Sequence, residues 1–457
     1  MHGSFQPAST EAKAASWPIL ATLCLAVLIA QIDTAVVNLA IHPIGQYFAA
    51  DVGPLQWVVD SYNLLYAVLL LTGGLLADLY GRRLVFVAGA AIFTIASLIC
   101  AAAPSIAILI AGRALAGVGA ALLLPASLAI IRVLWRDPAA RGRALGVWAG
   151  CNGVAFVIGP LVGGLLVSAF GWRSIFLVVV PLGAAAVALA LALIPESADR
   201  EDRRFDGVAQ ALGALALGAF AFAAIESQTT PFAALAALVI SVVAFVVFLR
   251  TEAKVGAQAL MPLDLFGSRA FRGAMTATAG MTFGMYGAIF LTPLTWQSEG
   301  LFSAIGAGLG LAPMALIYVA LSPFSGALTE KFGARAMTSG GVAVIGCGLL
   351  TIALSAHPAP IVGPGFGLFL TGIGMGLATG PLNAVAVGSV APARSGTASA
   401  LINVARMMGA TLGVAVLGAI FKFAQGGTLG LAVATLVGGL VQVSCAAYSW
   451  RVTRLRA

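Results

Sequence analysis

Charge is what this sequence has least of: 9% of its 457 residues are charged, against about 25% in a soluble domain, while 61% are hydrophobic. That balance excludes a water-soluble enzyme. Histidine is almost absent, and His2, His42 and His357 all lie outside the long apolar runs. Neither an H-E-x-x-H zinc site nor a nucleophile with a histidine base can form within those runs, so no enzyme, metal or cofactor is expected. The chain also lacks a G-x-x-x-x-G-K-[ST] phosphate loop, which removes direct ATP hydrolysis. Its cysteines, Cys24, Cys100, Cys151, Cys347 and Cys445, fall in apolar runs without ligand spacing and read as packing residues. No hydrophilic stretch is long enough for a large soluble domain, which argues against a receptor; 196–206 and 250–272 read as connectors.

What the chain does have is apolar runs of 18 residues or more, recurring from 17 to 449, each able as a helix to cross about 30 Å of hydrocarbon. A membrane β-barrel would need segments of roughly ten residues alternating in polarity, whereas Phe232 to Leu249 is apolar on every face except at Ser241. Loop signals predict fourteen helices, near 17–39, 53–75, 83–101, 106–131, 144–168, 173–194, 208–226, 232–249, 272–294, 304–326, 337–356, 361–383, 397–421 and 428–449. With the N-terminus inside, lysine and arginine crowd one face, from Arg82 and Arg83 through Arg132, Arg143, Arg250 and Arg335 to Arg451, and the other face keeps only Arg173 and Lys422. This positive-inside asymmetry predicts an even number of spans in a cell membrane, with both termini cytoplasmic. The net charge of +8 is scattered over short loops, so no nucleic-acid partner is expected. The first span has no clear cleavage signal after it and is expected to be retained.

One loop is written twice. Gly74-Leu-Leu-Ala-Asp78-Leu-Tyr-Gly81-Arg82-Arg83 follows the second span, and Gly326-Ala-Leu-Thr-Glu330-Lys-Phe-Gly333-Ala-Arg335 follows the tenth. The copies are eight spans apart, whereas adjacent six-helix halves would place them six apart. Two extra central helices resolve the difference, giving a six-helix bundle over 1–195, connectors and two helices over 196–271, and a second six-helix bundle over 272–457. The acid ends one helix, the glycine permits a tight turn and the arginines open the next helix, where charge pairs can form and break between states. A tight hairpin with positive-inside anchors is the plainer alternative; recurrence of the pattern favours a conformational gate.

The first loop resembles the major facilitator signature G-x-x-x-D-[RK]-x-G-[RK]-[RK], with Leu79 in place of one basic residue. Arg113-Ala-Leu-Ala-Gly117-Val-Gly119 in the fourth span resembles that superfamily's R-x-x-x-G-x-G. In the fifth span Gly153, Gly159, Pro160, Gly163 and Gly164 match its antiporter motif, found mainly in exporters. Asp33-Thr34-Ala-Val-Val-Asn38 and Gln56-Trp57-Val-Val-Asp60-Ser-Tyr62 resemble fourteen-helix drug:proton antiporters of the QacA and EmrB type. The resemblance implies an all-α major facilitator fold of two six-helix bundles plus two central helices. It further implies alternating-access export of small amphipathic, cationic drugs, with the proton as coupling ion and the bilayer as surroundings. A dedicated exporter of one metabolite or antibiotic is the alternative, and the chain is expected to act as a monomer.

An ionisable group inside a bilayer costs at least about 2.5 kcal/mol on insertion scales, so each one needs a reason. Asp33, Asp60 and Arg113 each lie about seven residues from the outer end of their span, a common depth of roughly 10 Å at 1.5 Å per residue. Low dielectric disfavours an ionised carboxylate and a nearby arginine favours it, so a change in water access or pairing loads or releases a proton. Asp33 is expected to take up a proton under the influence of Arg113, with Asp60 a second proton site or a counter-charge for substrate. A static buried salt bridge is the competing account of the pair. Trp57 and Tyr62 are expected to join Asp60 in substrate binding, although interfacial anchoring suits both rings equally well. The fifth-span glycines and Pro160 are expected to form a flexible seam against another helix. Arg406, in the thirteenth span, has no acidic partner in sequence.

Overall fold

The computed structural model describes residues 10–135, 137–198, 206–227, 229–256, 261–356, 360–391 and 394–453, with backbone alone at 10–16, 138–139, 149, 152–153, 156–157 and 395–396. It is helical throughout its described length. The helices are α1 (Thr10–Phe48), α2 (Val52–Tyr80), α3 (Arg82–Ala102), α4 (Ile106–Leu134), α5 (Pro138–Phe170), α6 (Ser174–Leu177), α7 (Val179–Leu193), α8 (Gly207–Ile225) and α9 (Pro231–Val255). They continue as α10 (Arg269–Ser298), α11 (Ala304–Leu321), α12 (Ser325–Phe332), α13 (Ala334–Ser355), α14 (Val362–Gly388), α15 (Ser395–Phe423) and α16 (Gly427–Val452). Helices α6 and α7 together make one crossing, as do α11 and α12.

Among the described residues 13 helices are long and apolar enough to cross a membrane. The remaining expected span, 144–168, coincides with α5, a helix of 33 residues whose apolar stretch Ile158–Phe170 is described in full and whose earlier part includes undescribed side chains. Helix starts follow ordinary capping chemistry even at the membrane edge. Ser105, Asp137, Asp206, Ser268 and Ser303 each accept a hydrogen bond from the first-turn amide three residues on.

The packing pattern of the first helices recurs in the last. Pairs α1–α5, α3–α4, α3–α7, α2–α4 and α1–α7 have counterparts in α10–α15, α13–α14, α13–α16, α11–α14 and α10–α16. The two sets meet along α2–α15, α5–α11 and α1–α10. Helix α8 lies on the α2–α15 seam, held by Gln210, which receives the Thr72 hydroxyl and donates to the Val68 carbonyl. Helix α9 packs on α8, where Ser241 donates 2.7 Å to the Ala216 carbonyl. Its other face is bare apolar surface, with Phe232 90% exposed and Val242 and Val243 exposed beside it. Such a face is stable against hydrocarbon and not against water.

Candidate functional site

Chain alternation puts the 81 and 333 turns at one end of the molecule, here the signature end, and the 49–51, 299–303 and 424–426 turns at the far end. At the signature end Gly81 (φ 120°) and Gly333 (φ 85°) adopt backbone conformations open to glycine and strained for other residues, which is why both loop copies need one there. Around Gly81, Arg82 pairs with Asp78 at 2.8 Å. Glu196, beyond the end of α7, accepts from the Arg83 and Leu84 amides at 3.0 Å and lies 3.7 Å from the Arg83 guanidinium. Glu196 therefore caps α3, a role that its place in a charged connector did not disclose. The second copy is wired differently. Arg335 donates 2.6 Å to the Trp450 carbonyl and covers that ring at 4.2 Å. Gly326 has open space around it, while Gly74 abuts Pro125 of α4.

Below the far end, the charged residues separate. Arg113 donates 2.5 Å to Asp33, with both side chains at or below 2% exposure. Its Nε donates 3.1 Å to the Val58 carbonyl, and its guanidinium lies over the Tyr62 ring at 4.6 Å. One arginine on α4 thus joins α1 and α2. The paired, neutralised arrangement lowers the cost of burying both charges. Asp60 stands apart: it is 0% exposed and neither carboxyl oxygen has a hydrogen-bond partner.

Where Asp60 points follows from its neighbours on α2. One turn earlier, Gln56 donates to the Val414 and Ala415 carbonyls of α15 at 2.8 and 3.0 Å; one turn later, Leu64 packs with Met407 of α15. Asp60 lies between them on the face toward α15, level with Thr411, whose hydroxyl is also buried and unpartnered. Trp57 lies on the same seam, shared with α8. It packs among Ala221, Ile225 and Ala415, its ring 6.4 Å from Phe222 of α8, while Tyr62 stays with Arg113. The structure therefore gathers Asp33, Arg113 and Tyr62, leaves Asp60 at the α2–α15 seam, and places Trp57 against α8.

The fifth-span motif faces two helices. A methyl group on Gly159 would come 2.6 Å from Ala35 Cβ, and one on Gly163 would come 2.7 Å from Val36, both on α1. Gly164 approaches the Ala304 carbonyl of α11, and Gly308 of α11 is so close to the Pro160 carbonyl that any side chain there would collide. Gly153 lies outside the residues whose side chains are described. Gln297 adds a 3.1 Å bond to the Leu39 carbonyl, closing α10 on α1 at the same far end. Beneath this closure is a cavity of about 40 Å³ lined by Gln31, Thr34, Asn38, Pro160, Tyr286 and Met314, room for roughly three waters. Gly308→Leu is expected to overpack the α5–α11 contact by about 1–3 kcal/mol and open the far end. In a cysteine-free background, spin labels at positions 50 and 424 should then move apart.

A profile described as Major Facilitator Superfamily matches residues 23–414. The Multidrug resistance protein Stp of Mycobacterium tuberculosis is 34% identical over 392 residues, covering 85% of this chain and 73% of its own. The Methylenomycin A resistance protein of Bacillus subtilis is 32% identical over 437 residues, 94% of this chain and 93% of its own. The Multidrug efflux pump LfrA of Mycolicibacterium smegmatis is 31% identical over 417 residues, 91% and 82% respectively. Among solved structures, a bacterial homologue of the human lysosomal transporter Spinster, inward-facing and unoccupied, superposes with a TM-score of 0.69 at 19% identity over 98% of each chain. A D-xylose-proton symporter gives 0.69 at 15% identity over 96% of this chain and 98% of its own. At such identities the likeness is one of fold.

Proposed function

The chain belongs to the Major Facilitator Superfamily, and we propose that within it this protein is a fourteen-helix, proton-coupled exporter of small amphipathic compounds. It is a multi-pass cell-membrane transporter and not an enzyme. The observation that carries the coupling is Asp60, a carboxyl with no partner at the seam between the two helix sets. Ionised there, it would be a buried anion with no compensating cation, a state costing several kcal/mol. It takes up its proton from the far side when the α2–α15 seam parts and water enters, and yields it to the cytoplasmic side when compound binds with the far end closed. Asp33, paired with Arg113, is the second station, available when that pair opens.

In this reading α5 is the fourteenth span, the signature end and both termini are cytoplasmic, and 1–195 and 272–457 rock as two bundles about the seams. The helices of 196–271 cover one seam. Among the described contacts of the first loop, Asp78 pairs with Arg82 and Arg83 lies beside Glu196, both within the first half. The relatives named for drug resistance and efflux support export as the direction and drug-like compounds as the cargo. A dedicated exporter of one antibiotic is the second reading, favoured by the relative that matches almost end to end and is named for resistance to a single antibiotic. Purified protein in vesicles loaded with a pH-sensitive dye tests the coupling. Compound added on the cytoplasmic face should drive proton release on that face, and accumulation of compound without proton movement would overturn it.

A further inference from the structure

Arg406, near the middle of α15 (Ser395–Phe423), is a membrane charge that the coupling scheme leaves unused. Its Nη1 donates 3.1 Å to Asn403 Oδ1, but its Nε is buried without an acceptor. Among the described residues no carboxylate is hydrogen-bonded or ion-paired to it. Beyond residue 271 the sequence has only Glu299 and Glu330, at opposite helix ends, while Asp33 is committed to Arg113 and Asp60 bonds to nothing. A guanidinium kept at this depth costs at least about 2.5 kcal/mol on insertion scales, and one hydrogen bond to Asn403 does not offset that.

Phenols on three other helices lie near enough to feel the charge of Arg406. Tyr66 of α2, Tyr286 of α10 and Tyr318 of α11 all lie within its electrostatic reach, and each is partly exposed. Tyr286 also lines the small cavity beneath the far-end closure. Guanidinium supplies donors only, and the Tyr66 and Tyr286 O–H groups add further donors while Tyr318 is bonded to Thr379, so the cluster offers positive charge and hydrogen to whatever enters. A planar anion meets that demand best, because a carboxylate can take two parallel N–H bonds from one guanidinium. A cation would be repelled, with no carboxylate there to receive it.

We propose that Arg406 with Tyr66 and Tyr286 is the polar anchor of the substrate site, and that the exported compounds carry a carboxylate or a similarly compact anionic group. The cationic class expected from Asp60 is thereby replaced. The inference rests on the exporter reading and narrows it. Because Tyr66 belongs to the first helix set and Arg406 and Tyr286 to the second, rocking at the α2–α15 seam dismantles the anchor and releases the cargo.

Fluorescein, an amphipathic carboxylate, and ethidium, a planar cation, serve as matched probes on the purified full chain, read by fluorescence polarisation. Wild type should bind fluorescein; Arg406→Gln should weaken this about tenfold or more, and Arg406→Lys by less, since charge survives but the bidentate fork does not. Tyr286→Phe, which deletes one donor and keeps the packing, should weaken it several-fold. Equal fluorescein binding by Arg406→Gln and wild type overturns the anchor, as does wild-type binding of ethidium in preference to fluorescein. Vesicle transport separates the two levels of the argument. Proton-driven export of ethidium with fluorescein left behind sinks the anion class and keeps the exporter, whereas fluorescein bound at Arg406 but never moved sinks the exporter and keeps the site.

Discussion

Asp60→Asn is expected to reduce proton-driven export to background in a protein that folds and still binds its cargo. The carboxyl it replaces has no hydrogen-bond partner and no exposure, so an uncharged amide of the same shape changes stability by less than about 1 kcal/mol. What the amide cannot do is exchange a proton. The variant is fixed in the uncharged form that suits the closed α2–α15 seam, and the step that requires ionisation is missing. Two assays separate this from a defect in recognition. Counterflow, in which unlabelled compound on one side drives labelled compound across from the other, needs no net proton movement and should survive. Uphill export driven by an imposed pH gradient should vanish. Loss of both would make Asp60 a recognition residue, and survival of both would remove it from coupling.

The spans were legible in the sequence because hydrocarbon imposes one rule on every helix, an apolar run of sufficient length, and no tertiary context overrides it. Their ends were less so. Helix α1 continues to Phe48 and α2 to Tyr80, each several residues past its apolar run, since Asn38, His42 and Gln46 leave the membrane core without breaking the backbone ladder. The candidate site was half visible. Residue counts along three helices correctly give Asp33, Asp60 and Arg113 a common depth, but depth carries no information about azimuth. Which acid meets the arginine is decided by helix rotation: Arg113 reaches across to α1, and Asp60 turns to α15. For the same reason Trp57, a neighbour of Asp60 in sequence, ends against Phe222 of a helix whose docking place no local pattern announced. Glu196 was hidden because its partners are backbone amides, which every residue possesses. The tyrosines around Arg406 come from three other helices and share no spacing at all.

Removing one member of the Asp33–Arg113 pair should destabilise the protein far more than removing both. Asp33→Asn leaves a guanidinium buried among Tyr62, Phe176 and the Val58 carbonyl with no anion, and Arg113→Gln leaves the mirror-image orphan. Each single change is expected to cost about 3–5 kcal/mol, the usual consequence of stranding a buried charge. The double variant carries no charge to strand, and its amides can bond one another across the same gap. Its thermal midpoint in detergent should therefore recover most of the loss, so that the coupling energy across the cycle exceeds the cost of either single change. Additive losses would mean that the pair is loosely held and wet. Transport gives the cycle its second meaning. A pair that only fastens α1 to α4 would yield a double variant that both folds and exports at the normal rate. If Asp33 is a proton station governed by Arg113, the double variant should fold and bind yet export slowly. Asp60 would then load protons with no partner station to receive them when the seam closes.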